Sequence, residues 1–181
     1  WYVDKCIETI PLPPLKRGVN ILEITMPFGR NTNTEWIYLL GNFGVRVEGI
    51  KKIIVPMPET IDCGNITEQG FPFYSGKLTY HTTFHTDRTP SGVILPHLCG
   101  TLARVALDGK DLGIVAFPPY RLNLSGVSSS AHRLDVTLYV PRTNGFGPVH
   151  NVKTSSCFSV PGSWRTQGDE WCYDYQLTPQ G

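Results

Sequence analysis

Apolar and polar positions alternate along most of the chain in short runs, and nearly every run is closed by Gly, Pro, Asn or Asp. That is the pattern of half-buried strands joined by tight turns. It predicts strands over residues 5–12, 20–26, 35–40, 44–55, 76–86, 92–95, 102–107, 112–117, 120–124, 133–140 and 171–177. Turns are predicted between them at "KRG", "PFGRNTN", "DRTPSG", "DGKD", "GVSSSA" and "RTNGFGP". No window repeats apolar residues at i, i+3, i+4 and i+7 for long enough to predict more than a turn of helix. The fold class expected is all-β, a sandwich.

Two stretches sharpen that expectation. In "KLTYHTTFHT" (77–86), Leu78, Tyr80, Thr82 and Phe84 share one face, and Thr79, His81, Thr83 and His85 share the other. In "LDGKDLGIVAFPPYRLNLSG" (107–126), Asp-Gly stands between two apolar runs and predicts a two-residue hairpin. Pro118 and Pro119 cannot donate to a ladder, so the chain must leave the sheet or follow its edge there. A weak internal echo joins residues 7–32 to 117–145: each holds a Pro-Pro step and a strand of the form Leu-Glu/Asp-aliphatic-Thr. Read as a repeat, it makes residues 1–60 the closing strands of a partial β-sandwich and residues 61–181 a fuller one.

Composition narrows the function classes. Charged residues are 17% and the net charge is +1, with no Lys/Arg cluster, so nothing offers the basic surface that nucleic acid needs. No run reaches the roughly 18 apolar residues that span a bilayer, and no membrane partner is expected. Gly 18 and Pro 15 interrupt the chain too often for long helices. The opening "WYVDKCIETI" has no initiating Met and predicts a fragment or processed form of a longer protein.

Five cysteines, Cys6, Cys63, Cys99, Cys157 and Cys172, cannot all pair within one chain, and none forms a Cys-x-x-Cys step. They read as small, half-buried residues of a reducing compartment, which favours the cytoplasm. His81 and His85 would lie about 13 Å apart along a strand, too far to share a metal by themselves. No metal and no cofactor are expected. Nucleophile-elbow, zincin, Walker and dinucleotide-binding motifs are all missing from the sequence.

From residue 73 onward the sequence resembles a known family. "FYSGKLTYHTTFHTD" looks like the opening strand of the sugar-binding, galactose-binding-like jelly-roll domain of glycoside hydrolase family 2 proteins. "LARVALDGKDLGIVAFPPYRLNLSG" resembles that domain's middle, and "HRLDVTLYVPRTN" its closing strand. The resemblance covers roughly residues 70–150. It implies a jelly-roll-like sandwich, preceded by strands of a partial additional sheet, at the C-terminal end of a larger bacterial glycoside hydrolase. The catalytic machinery of that family lies in a separate barrel, so this chain itself is not expected to be catalytic. The parent's catalytic domain is its expected partner.

A sugar-binding surface needs aromatic faces and a few hydrogen-bonding groups. Trp164, Arg165, Asp169, Glu170 and Trp171 fall within "SWRTQGDEWCYDYQ", and Asn144 and His150 within "TNGFGPVHN". Tyr120, with Phe117, flanks the double proline and could join the same rim. These are the candidate ligand-binding residues, set against core packing or docking to a neighbouring domain. Two further readings stay open: an interdomain or oligomerisation module with no ligand, and a hydrolase pairing Glu68 with Asp169 or Glu170. Trp1, Tyr2 and Trp36 are candidates for a face that covers another domain or a second copy.

Overall fold

A computed structural model describes residues 5–30, 32, 37–152 and 164–181. Trp1, Tyr2, Trp36, Cys157 and part of the expected strand 35–40 lie outside the described residues. The chain divides into two compact units, Trp1–Leu40 and Gly41–Gly181.

The described part of the first unit holds turns but no strand, so the strands expected over 5–12 and 20–26 are not formed. The physical reason is the lack of a ladder: an alternating segment becomes a strand only when its N–H and C=O groups find a neighbour. The "KRG" turn is nevertheless well tied. Asn20 accepts from the Lys16 N–H at 2.8 Å and donates to the Lys16 and Gly18 carbonyls at 2.8 and 3.1 Å.

The second unit is an all-β sandwich of antiparallel pairs. Strands β1 (Gly44–Glu48) and β2 (Lys51–Val55) form a hairpin. The expectation of one strand over 44–55 is therefore corrected: Gly49 takes a φ of 59°, the left-handed region that reverses the chain. A 3₁₀ turn (Ile66–Glu68) leads to β3 (Gly76–His85) and the short β4 (Gly92–Ile94). Then come β5 (Leu102–Leu107), β6 (Lys110–Val115), β7 (Arg121–Asn123), β8 (Ala131–Val140) and one helical turn, α1 (Thr143–Phe146). The main sheet runs β3-β8-β5-β6, and β4 pairs with β7 in a sheet of its own.

The Asp-Gly hairpin forms as the sequence predicts. Leu107 pairs with Lys110, and Asp108 and Gly109 take φ of 50° and 78°, the two left-handed residues of a type I′ turn. The double proline ends the main sheet. After β6 the chain turns at Phe117–Tyr120 and re-emerges in β7, the partner of β4. That step carries it from one sheet to the other.

One face of the main sheet is the core. Ala103 and Val105 are fully buried, with Leu107, Val115 and Leu138 nearly so, while Arg104 points outward between them. Leu138 and Val140 pack with Ile66, and Ile61, Phe71, Tyr74, Leu78 and Leu98 close around them. The opposite face is polar. His81 and His85 stand exposed on it. There Asp135 accepts from Arg133 at 2.9 Å and meets His81 at 2.7 Å. Arg104 grips Asp111 with two bonds of 2.9 and 2.8 Å. No trio of His, Cys, Asp or Glu among the described residues could hold a metal. Nor is any described helix long and apolar enough to cross a membrane. Among the described cysteines, Cys6, Cys63 and Cys99 are exposed and Cys172 is half-buried, which corrects the expectation of half-buried thiols for three of these four.

Candidate functional site

The C-terminal residues 164–181 lie across the second unit as a strap. Residues 171–177, expected as a strand, form only an isolated bridge between Asn151 and Trp171. The strap is laced rather than laddered, its hydrogen bonds going to scattered partners. Val152 N–H donates to the Glu170 carbonyl at 3.0 Å, Cys172 N–H to His150 at 3.0 Å, and Gln176 N–H to Val149 at 2.7 Å. Near its end, Asn144 donates to the Thr178 carbonyl and accepts from its N–H, both at 2.9 Å. Asn144 is only 2% exposed. Its amide thus uses one N–H and one oxygen lone pair to clamp the strap, and its burial sets it back from the surface.

The strap lays down a run of rings. Tyr173 meets Trp171 edge-on at 4.4 Å, and Trp171 faces His150 at 6.1 Å. His150 lies 4.5 Å from Tyr175, which meets Phe73 edge-on at 5.4 Å. Lys52 of β2 sits 5.2 Å over the Tyr175 ring, within cation–π range. His150 Nδ1 is 3.1 Å from the Cys172 carbonyl. A carbonyl only accepts, so Nδ1 carries a proton. Tyr173, at the outer end, is 68% exposed.

Tyr175 also lines an open groove of about 800 Å³. Val45, Arg46 and Val47 of β1 form one side, Glu68 and Gln69 another, and Asp174 the strap side. Gly49 lines the groove beside Asp174: a Cβ there would sit 3.1 Å from Asp174 Oδ1, so that side chain would have to shift slightly. The site therefore offers ring faces beside a carboxylate-and-guanidinium edge.

The candidate residues do not all meet. His150 and Trp171 share the run of rings, and Arg165 joins them through the strap: its N–H donates to Asn151 at 2.9 Å and its Nε to Glu170 at 2.7 Å. Trp164, half-buried, precedes this turn, and Asp169 is exposed within it. Tyr120 stands with the other sheet, its carbonyl accepting from Leu95 N–H at 2.9 Å. Glu68 lines the groove, but Asp169 and Glu170 do not; the acid facing the same space is Asp174. Tyr173, Tyr175, Asp174 and Arg46 were not singled out from the sequence. For Tyr173 and Tyr175 the alternation "WCYDY" was a usable sign; for Arg46, more than 100 residues away, none existed.

Comparison of the sequence with protein families and with curated proteins finds no match. Among solved structures, a rhamnosidase from Novosphingobium sp. PP1Y matches at 20% identity and a TM-score of 0.43, over 84% of this chain and 16% of that one. The chain thus spans about a sixth of that structure's length. A likeness of this size assigns no family.

Proposed function

We propose that this chain is a non-catalytic, carbohydrate-binding β-sandwich module of a larger glycoside-hydrolase-like protein. The observation that carries the reading is the run of rings from exposed Tyr173 to Tyr175, ending at a groove edged by Arg46, Glu68 and Asp174. Aromatic faces take the apolar side of a pyranose, and the charged edge takes its hydroxyls. The jelly-roll, galactose-binding-like assignment belongs to the same proposal and rests on the sequence resemblance. The test is a tryptophan-fluorescence titration with mono- and oligosaccharides on the whole chain. A saturable change that disappears in Tyr173→Ala and Tyr175→Ala, with unaltered circular dichroism, is the expected result. A flat titration with every sugar sinks the reading.

One observation favours a second reading, an interaction module without a ligand. Val19, Ile21 and Phe28 in the first unit are 91%, 90% and 82% exposed. Bare apolar side chains grouped in one segment suit contact with another protein surface.

A further inference from the structure

Far along β8 from the strap, one histidine is buried. His132 is 8% exposed and stands opposite Phe84 of β3, ring centroids 5.7 Å apart. Its Nδ1 is 2.7 Å from Asp108 Oδ2 in the β5–β6 turn. Its Nε2 is 2.9 Å from the Ser128 carbonyl and 3.1 Å from Ser130 Oγ. The other Asp108 oxygen accepts the Arg133 N–H at 2.8 Å, and Asp108 N–H donates to the Arg133 carbonyl at 2.8 Å.

Asp, His and Ser at these distances invite comparison with a hydrolytic triad, in which the histidine must take the serine proton on a free Nε2 lone pair. The Ser128 carbonyl argues against that. It can only accept, and it lies closer to Nε2 than the serine does. Both ring nitrogens face acceptors, so only the doubly protonated ring satisfies both. We propose that His132 is a proton-operated clasp: as imidazolium it fastens the Asp108–Gly109 turn and the serine loop 125–130 to the start of β8, and on deprotonation it releases the loop.

The charged surroundings fit this assignment. Among the described residues, Asp108 is the only ionised group bonded to the ring. Arg133, the next residue of β8, is exposed and pairs with Asp135. His85 of β3 is exposed beside Asp87, and Lys110, across the turn, is exposed as well. Hydrogen bonds to the Asp108 carboxylate and then to the Ser128 carbonyl hold the His132 pKa above its ordinary value. The Arg133 N–H, then His132, hold Asp108 below its own. A raised histidine pKa gives stabilisation that is complete below about pH 6.5 and fades as pH climbs through the folded value. The lowered Asp108 pKa adds stabilisation present above about pH 3.9 and lost as pH falls through its folded value. The clasp is tightest between those limits.

Two measurements on the whole chain test this. Nitrogen-15 spectra of the histidine rings should show His132 protonated on both nitrogens at pH 6, and still largely so above about pH 6.5, where an ordinary histidine is half deprotonated. Carbon-13 relaxation of the Cα atoms should show residues 126–130 more ordered at pH 5.5 than at pH 8.5, since the loop's bonds to His132 run through the Ser128 carbonyl and Ser130 Oγ. His132→Gln should flatten that difference. A His132 ring neutral at pH 6 overturns the proposal, and this needs no variant to fold. Order over residues 126–130 that does not change with pH in the parent chain overturns it as well. Labelling of Ser130 by a fluorophosphonate would overturn it in favour of the triad.

Discussion

Two segments of this chain share one pattern and have different fates. Residues 21–25 read Ile-Leu-Glu-Ile-Thr and residues 134–137 read Leu-Asp-Val-Thr. The second lies in β8, laddered on one side to β3 and on the other to β5, with Leu138 paired to Leu78 and Ala103. The first forms no strand, and its Ile21 is 90% exposed. Alternation thus decides which residues could face a core. A strand forms only where neighbours satisfy the backbone and cover the apolar face.

Truncating an apolar residue in each segment gives the largest expected contrast. Leu138→Ala should cost about 3 kcal/mol, because a 2%-exposed side chain leaves a cavity against Ile66 and Val140. Ile21→Ala should change stability by less than about 0.5 kcal/mol. Urea unfolding of both variants measures the difference; comparable losses would mean that Ile21 is covered after all.

The strap extends the comparison, since it too was read as a strand and is held differently. A smaller loss, about 1–3 kcal/mol, is expected for Asn144→Ala, which leaves the Thr178 N–H and carbonyl without their partner. Proteolysis should then cut first between residues 171 and 178. Unchanged protease resistance together with unchanged stability would show that the strap holds without its amide clamp.

The same logic says what was legible. Residues 102–107 were bounded correctly because alternation, a buried face and the Asp-Gly turn all agree there. The β1–β2 reversal was missed because "EGIK" carries no Asn-Gly or Asp-Gly step, and only the φ of Gly49 shows it. On the candidate site, "DEWCYDY" advertised aromatic residues, and His150 with Trp171 did come together. Asn144 looked like a hydroxyl partner and is a buried clamp, since nothing local announces a bond to Thr178 across 34 residues. Asp108 and His132 are 24 residues apart and meet only because β5 and β8 are neighbours. Chemistry set by non-local strand order cannot be read from spacing along the chain.

The smallest effect on stability is expected where the exposed segment is made polar. Ile21→Lys with Phe28→Lys should leave the urea midpoint nearly unchanged, within about 0.5 kcal/mol, because neither side chain is covered. Association should respond instead. Isolated copies carrying Val19, Ile21, Leu22 and Phe28 in the open should sediment faster as concentration rises, and the double variant should not. Apolar area is the only strong attraction that this segment offers, with Lys16, Arg17 and Glu23 as its nearby charges. A parent chain that stays monomeric at every concentration would remove the observation behind the interaction-module reading. A double variant that unfolds would instead place residues 21 and 28 against a core, and the contrast with Leu138 would collapse.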